Sequence, residues 1–375
     1  MVKVILSLAL CLVISSTAYS QSLFENGFSA SKSEWPKTDF SKRNIDFSEI
    51  ISGGPPKDGI PAIDQAKFES LQSASQWVGD SEPVISVNIA NEAKAYPLQI
   101  LMYHEIVNDQ INDKFISVTF CPLCNTSLVF NRNVEGNILD FGTTGRLRKS
   151  DLIMYDRQTE SWWQQFDGSG IIGNYTGYTL EELPSQIISF NSFKENYPNG
   201  KVLSKNTGFQ RPYGSNPYQG YDHIDNKPFL LQDKADPRLP AMERVISVRN
   251  NGSQKVYPFS ALKNSFVVND VMGNLNLVIF KAEDVLSVLD KRNIRSSNTV
   301  PAYTVFSPII DGKKLVFEYT KENIIDQNTS SVWSVFGKAT AGKLKGKQLK
   351  PVKHGIHFAF AWLAFNPESE IYGKE

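Results

Sequence analysis

Cys121-Pro122-Leu123-Cys124-Asn125 places two thiols three residues apart, and after His104 and Met154 there is little other soft chemistry in the chain. A Cys-x-x-Cys pair can hold a metal, exchange disulfides or close a small bridge, and its surroundings discriminate among these. Here the motif leaves an apparent strand, Ile116–Phe120, and enters another, Ser127–Phe130. A thioredoxin-type pair would open a helix, whereas Thr126, Val129 and Phe130 favour extended structure. A strand–turn–strand Cys-Pro-x-Cys instead reads as a metal knuckle, with Asn125 suited to the left-handed conformation at its exit.

No second Cys-x-x-Cys exists, so further ligands must come from His104, Met154 or the pair His354 and His357. Two thiolates with His104 and Met154 suit copper, and two thiolates with two histidines suit zinc. The expectation is a transition-metal site with copper ahead of zinc, built on Cys121, Cys124, His104 and Met154. Two alternatives use the same cysteines. One is a dithiol–disulfide enzyme in which His104 or Glu105 handles protons. The other is a non-catalytic binding module with a structural disulfide, whose Tyr-rich segment 213–221 contacts a partner.

Each candidate has a plainer reading. His104 follows an apolar turn and suits a buried, hydrogen-bonded imidazole, and Met154 lies in a strand-like run typical of core packing. His354 and His357 fit a surface, and His223 has no spacing partner. Gly142–Asp151 combines glycines, hydroxyls and three bases, the makings of an anion site or of a solvated basic turn. Asp156, Thr159, Ser161 and Trp163 look catalytic, yet they recur at Asp326, Thr329, Ser331 and Trp333, which argues for a turn-and-core role.

The rest of the composition narrows the function. With 39 Lys+Arg against 39 Asp+Glu there is no basic field for nucleic acid. The absence of a phosphate loop, Gly-x-Ser-x-Gly or His-Glu-x-x-His leaves no sign of a nucleotide cofactor or of those hydrolases. Residues 1–20 read as a secretory leader: Lys3, an apolar stretch 4–14, then Ala18-Tyr19-Ser20 before Gln21. Cys11 would leave with it. No later apolar run is long enough to span a bilayer, so the expected mature chain is exported, periplasmic or secreted, without a membrane span.

A repeat organises what remains. Residues 84–109 and 245–270 share 11 identities without a gap, among them Val84-Ile85-Ser86-Val87 with Val245-Ile246-Ser247-Val248. Continued downstream with small gaps, the alignment sets Cys121 against Lys281 and Cys124 against Asp284, so the soft ligands belong to the first half alone. The expected organisation is a leader (1–20), an N-terminal extension with a helix over 63–77 (21–83), and a first repeat carrying the knuckle (84–205). A Gly/Pro/Tyr-rich connector (206–244) and a degenerate second repeat (245–375) follow. Short β-branched and aromatic runs, including Val84–Val87 and Leu315–Phe317, with helical turns at Leu98–Tyr103 and Phe259–Lys263, give a β-dominated α+β fold of two pseudo-symmetric units.

Several of these segments resemble one family. Gly59-Ile60-Pro61-Ala62-Ile63-Asp64, Ala95-Tyr96-Pro97, His104–Asp109, Cys121–Asn125, Ser150–Thr159, Tyr213-Gly214, Asn216-Pro217-Tyr218 and His354–Trp362 look like the bacterial and archaeal domain of unknown function 3179. The likeness spans nearly all of the mature chain and departs from the pattern at Glu160, where glycine is expected. It implies export and these boundaries, and supplies no reaction.

Overall fold

The structure is a computed structural model that describes residues 22–25 and 28–374, so the leader expected over 1–20, with Cys11, lies outside the described residues. Strands dominate. Among the described residues the five α-helices are at most seven residues long, and no helix is long and apolar enough to cross a membrane.

The first half opens with a hairpin of β1 (Pro83–Ile89) and β2 (Glu92–Pro97). Its two turn residues, Ala90 and Asn91, both have positive φ, the geometry whose twist matches the flanking strands. The chain then forms α1 (Leu98–His104) and a meander of β3 (Ile106–Ile111), β4 (Lys114–Cys121) and β5 (Thr126–Asn131). A second meander follows: β6 (Phe141–Arg148), β7 (Asp151–Asp156) and β8 (Trp162–Gln164). Next, β9 (Gln186–Ser189) returns antiparallel to β1, α2 (Phe190–Asn196) follows, and β10 (Lys201–Leu203) lies parallel to β2.

Residues 244–371 run through the same series. The hairpin is β11 (Arg244–Asn250) and β12 (Ser253–Pro258), then come α3 (Phe259–Leu262), β13 (Val267–Met272), β14 (Leu275–Lys281) and β15 (Tyr303–Ser307). After these lie β16 (Phe317–Thr320), β17 (Asn323–Asp326) and β18 (Val332–Trp333). Finally β19 (His354–Phe358) is antiparallel to β11, α4 (Ala359–Phe365) follows, and β20 (Glu370–Ile371) is parallel to β12.

Buried polar brackets recur at matching places. Tyr96 donates to Asp109 (2.6 Å) and Tyr257 to Asp270 (2.9 Å). Asp156 accepts from Thr159 N (2.6 Å) and Trp163 Nε1 (3.0 Å), and Asp326 accepts from Thr329 N (2.6 Å) and Trp333 Nε1 (2.9 Å). Each carboxylate satisfies donors that would otherwise be buried unpaired, which gives these residues the expected turn-and-core role.

One large apolar core includes residues of both halves, from Ile85 and Phe120 to Val245, Phe358 and Trp362. The second half also reaches across: Phe358 N donates to Cys124 O (2.9 Å). Between Leu203 and Arg244 no regular element forms. That connector is pinned from both sides: Tyr103 Oη of α1 donates to its Ser215 O (2.7 Å), and its own Tyr221 Oη donates to Leu123 O (3.1 Å).

Three local expectations need correction. The helix expected over 63–77 is one turn, Leu71–Ala74. Ile63 bridges Val107, and Phe68–Ser70 pairs with β10, so edge pairing overrode helix propensity. Leu315 falls outside the strand expected around it, since its N–H bonds Pro308 O and the strand starts at Phe317. Finally, Phe120 N bonds Glu105 O as Lys281 N bonds Phe266 O. The strand registers therefore set Ala282, rather than Lys281, opposite Cys121. The absence of a thiol there is unchanged.

Candidate metal centre

β4 ends at Cys121, residues 122–125 turn, and β5 begins at Thr126, the register partner of Cys121. Asn125 has φ 50° at the exit, so the knuckle takes the shape its sequence implies. Both cysteines are buried and free. The Cys124 thiol donates to Ser150 O (3.3 Å). That carbonyl is presented by the two-residue turn Lys149-Ser150, both residues at positive φ (51° and 66°), which also starts β7 at Asp151.

Asp151 is the residue the sequence reading missed. Its carboxylate and the two thiols form a buried group whose ligand atoms lie within 4.8 Å of one another. Asp151 Oδ2 accepts from Gln164 Nε2 (2.7 Å) and Phe166 N (3.0 Å). Its Oδ1 is buried without a hydrogen-bond partner, a costly arrangement for an oxygen with nothing to bind. The available signal was an acid heading the otherwise apolar run Leu152-Ile153-Met154-Tyr155, in the first half only.

Glu105 stands beside this group. It caps α1 in the left-handed conformation (φ 57°), which turns the chain into β3 and leaves its side chain 6% exposed. Burial, with the negative charge of Asp151, pushes its carboxyl up to about 8. Burial likewise raises Asp151 to about 7, against the hydrogen bonds from Gln164 and Phe166 N. Both thiols are pushed up by burial, Cys124 the further. No cation is among the main influences on these four groups, so without an ion the cluster is neutral only while it keeps its protons.

The other expected ligands stand elsewhere. His104 is fully buried, with Nδ1 on Pro61 O (2.7 Å) and Nε2 on Tyr213 Oη (2.6 Å). A carbonyl only accepts, so Nδ1 carries the proton and the lone pair of Nε2 is taken by the Tyr213 hydroxyl. Met154 is buried three residues along β7, about 10 Å from Asp151 at the strand rise. His354 and His357 are buried, not at the surface. His354 Nδ1 donates to Val352 O (2.9 Å). His357 bridges Thr126 Oγ1 (2.9 Å) of the knuckle and Ser247 Oγ (2.7 Å), and burial holds it far below its ordinary value, hence neutral. His223 lies in an exposed loop.

The basic segment 142–151 binds inward. Thr143 and Thr144 donate to Ile60 O and Ile153 O, Arg148 pairs with Glu49 (2.7 Å), and Lys149 donates to Ala364 O. Its hydroxyls and these two bases are committed to the fold.

Comparison with known proteins gives one match. The model of a family described as a protein of unknown function, DUF3179, matches residues 57–369. No curated protein and no solved structure matches.

Proposed function

The chain belongs to the DUF3179 family of unknown function, and because that membership carries no reaction, we propose from the geometry that it binds a divalent transition metal through Cys121, Cys124 and Asp151. The observation that carries this reading is the partnerless Asp151 Oδ1, buried beside two free thiols. Tetrahedral zinc needs ligand atoms about 3.5–3.8 Å apart, which small side-chain rotations achieve from the present spacing.

The expectation of copper ahead of zinc leans on His104 and Met154. With an oxygen in the third place, His104 saturated and Met154 displaced along its strand, the donor set suits zinc, a borderline ion, better than Cu(I). Glu105 is close enough to interact electrostatically with Asp151 and Cys121, and Gln164 and Phe166 N orient the Asp151 carboxylate, the supporting role that neighbouring groups play at metal sites. The redox alternative is less well supported. An attacking thiol needs a depressed pKa, and both thiols here are raised.

Two further readings belong to this proposal. The shared brackets and pairings favour an origin of the two halves by internal duplication, and the leader-like residues 1–20 favour export to the periplasm or beyond. The test is elemental analysis of protein purified after export in zinc- and copper-supplemented medium. One zinc per chain, lost in Asp151→Asn and Cys121→Ser, is expected. Substoichiometric metal, with Cys121→Ser indistinguishable from wild type, would sink the proposal.

A further inference from the structure

A cleft of about 540 Å³ opens between β1, β9 and the end of α2 on one side and β15 with the segment 336–351 on the other. Its volume is in the range of small-molecule sites, which favour such junctions. Five of its lining side chains are neutral amides: Asn88, Asn91, Gln186, Asn196 and Gln348. Lys338 is the sole charged residue of the lining. Two rings in its lining, Tyr197 from the first half and Phe336 from the second, meet edge-on with centroids 6.5 Å apart and planes at 62°.

The matched halves supply a control. Sheet registers place Arg249 where Asn88 stands, since Arg249 follows Val248 on β11 as Asn88 follows Val87 on β1. They also place Glu182, which pairs with Phe130, where Pro351 pairs with Phe306. At the counterpart junction Arg249 and Glu182 form an ion pair (3.4 Å), and Arg249 covers Trp362. Phe365 stacks on Phe166 there (4.5 Å). Charges and rings fill that junction. At the open one both members of the ion pair are replaced by uncharged residues, and the space is lined with amides.

We propose that the open cleft binds a neutral oligosaccharide. Amide side chains each offer both donors and an acceptor, matching hydroxyls that do both, and ring faces attract the weakly positive C–H face of a sugar. Asn91 and Gln186 make no hydrogen bond with another side chain, and Gln348 uses only its Nε2, on Phe336 O (2.8 Å) and Leu349 O (3.2 Å), leaving Oε1 to the cleft. A strongly anionic ligand would meet one lysine, and a cation would meet no carboxylate.

The test is calorimetric titration of the whole mature protein with cellopentaose, xylopentaose, maltopentaose and chitopentaose, and with pentagalacturonate as the anionic control. At least one neutral sugar is expected to bind with a Kd below about 1 mM. The double variant Asn88→Arg with Pro351→Glu rebuilds the closing ion pair and should weaken that binding at least tenfold. If the double variant does not fold, Asn91→Ala with Gln348→Ala, both at exposed positions, should give the same loss. Three results overturn the proposal: no neutral sugar binding, binding indifferent to the variants, or pentagalacturonate binding as tightly as the best neutral sugar.

Discussion

Two corresponding connections differ sharply: the four-residue turn from Cys121 to Thr126, and the nineteen-residue excursion from Ala282 to Ala302. They leave matching strands and return to matching strands. In the first, two thiols and Asp151 meet in the core. In the second, Ala282, Val285 and Ala302 form a small apolar cluster, and the excursion runs out to hold the connector, with Asp290 O and Arg292 O accepting from Gly220 N and Asn216 N. The brackets on Asp156 and Asp326 are the same in both halves. The second half thus reaches the same brackets and strand pairings with no thiol in the corresponding connection.

The largest expected effect breaks this contrast at its centre. Cys124→Ser should weaken zinc binding by at least about a thousandfold, the loss of one strong ligand, whereas Ala282→Ser should leave affinity unchanged. Competition with a chromophoric chelator measures both. Equal affinities in wild type and Cys124→Ser would mean that the difference between the connections has nothing to do with metal.

Where the halves agree, the variants should agree. Asp156→Ala and Asp326→Ala each strand a buried Trp Nε1 and a backbone N–H, and each should cost about 3 kcal/mol in urea denaturation. A large loss at Asp156 with none at Asp326 would show that the first bracket serves the site rather than the scaffold.

A smaller effect concerns His357, which follows Ile356 on β19 and faces Val245, as Ile188 faces Val84. Its native pKa lies well below the ordinary histidine value of 6.5. Below pH 6.5 the unfolded chain takes up a proton that the native state refuses. Stability held above that pH is therefore lost as pH falls toward the native pKa, by up to about 1.4 kcal/mol per pH unit. Asp151 and Glu105, raised by burial, act in the opposite sense, so the readout is wild type minus His357→Gln. A difference that stays flat between pH 6.5 and 5 would mean that His357 is protonated in the native state.

Much of this contrast was legible in the chain because it is local. The knuckle follows from a turn between two β-branched runs, and the first-half confinement of the thiols follows from the repeated Val-Ile-Ser-Val and Tyr-Pro segments. Asp151 was not legible as a partner, because it reaches Cys124 through the tertiary placement of the β6–β7 hairpin, whose Lys149-Ser150 turn meets a residue far back in the chain. The histidines misled for a related reason. Imidazoles near soft residues resemble ligands until long-range contacts, such as Pro61 O to His104 and Ser247 to His357, show where each nitrogen is spent.

The smallest effect separates the connector from the knuckle it covers. Tyr221 Oη donates to Leu123 O inside the turn and accepts from Phe229 N, while Ser150 Oγ donates to Phe229 O (2.5 Å). The segment is thereby fastened to both sides of the thiol cluster. Tyr221→Phe keeps the ring against Phe358 and removes these two bonds, which should cost about 1 kcal/mol of stability. If fastening matters only for closure, zinc dissociation from the variant should quicken while the equilibrium ligand set, read from the cobalt-substituted spectrum, stays the same. An altered spectrum would instead mean that the connector shapes the turn itself, and that the short connection of the first half depends on the segment above it for its geometry.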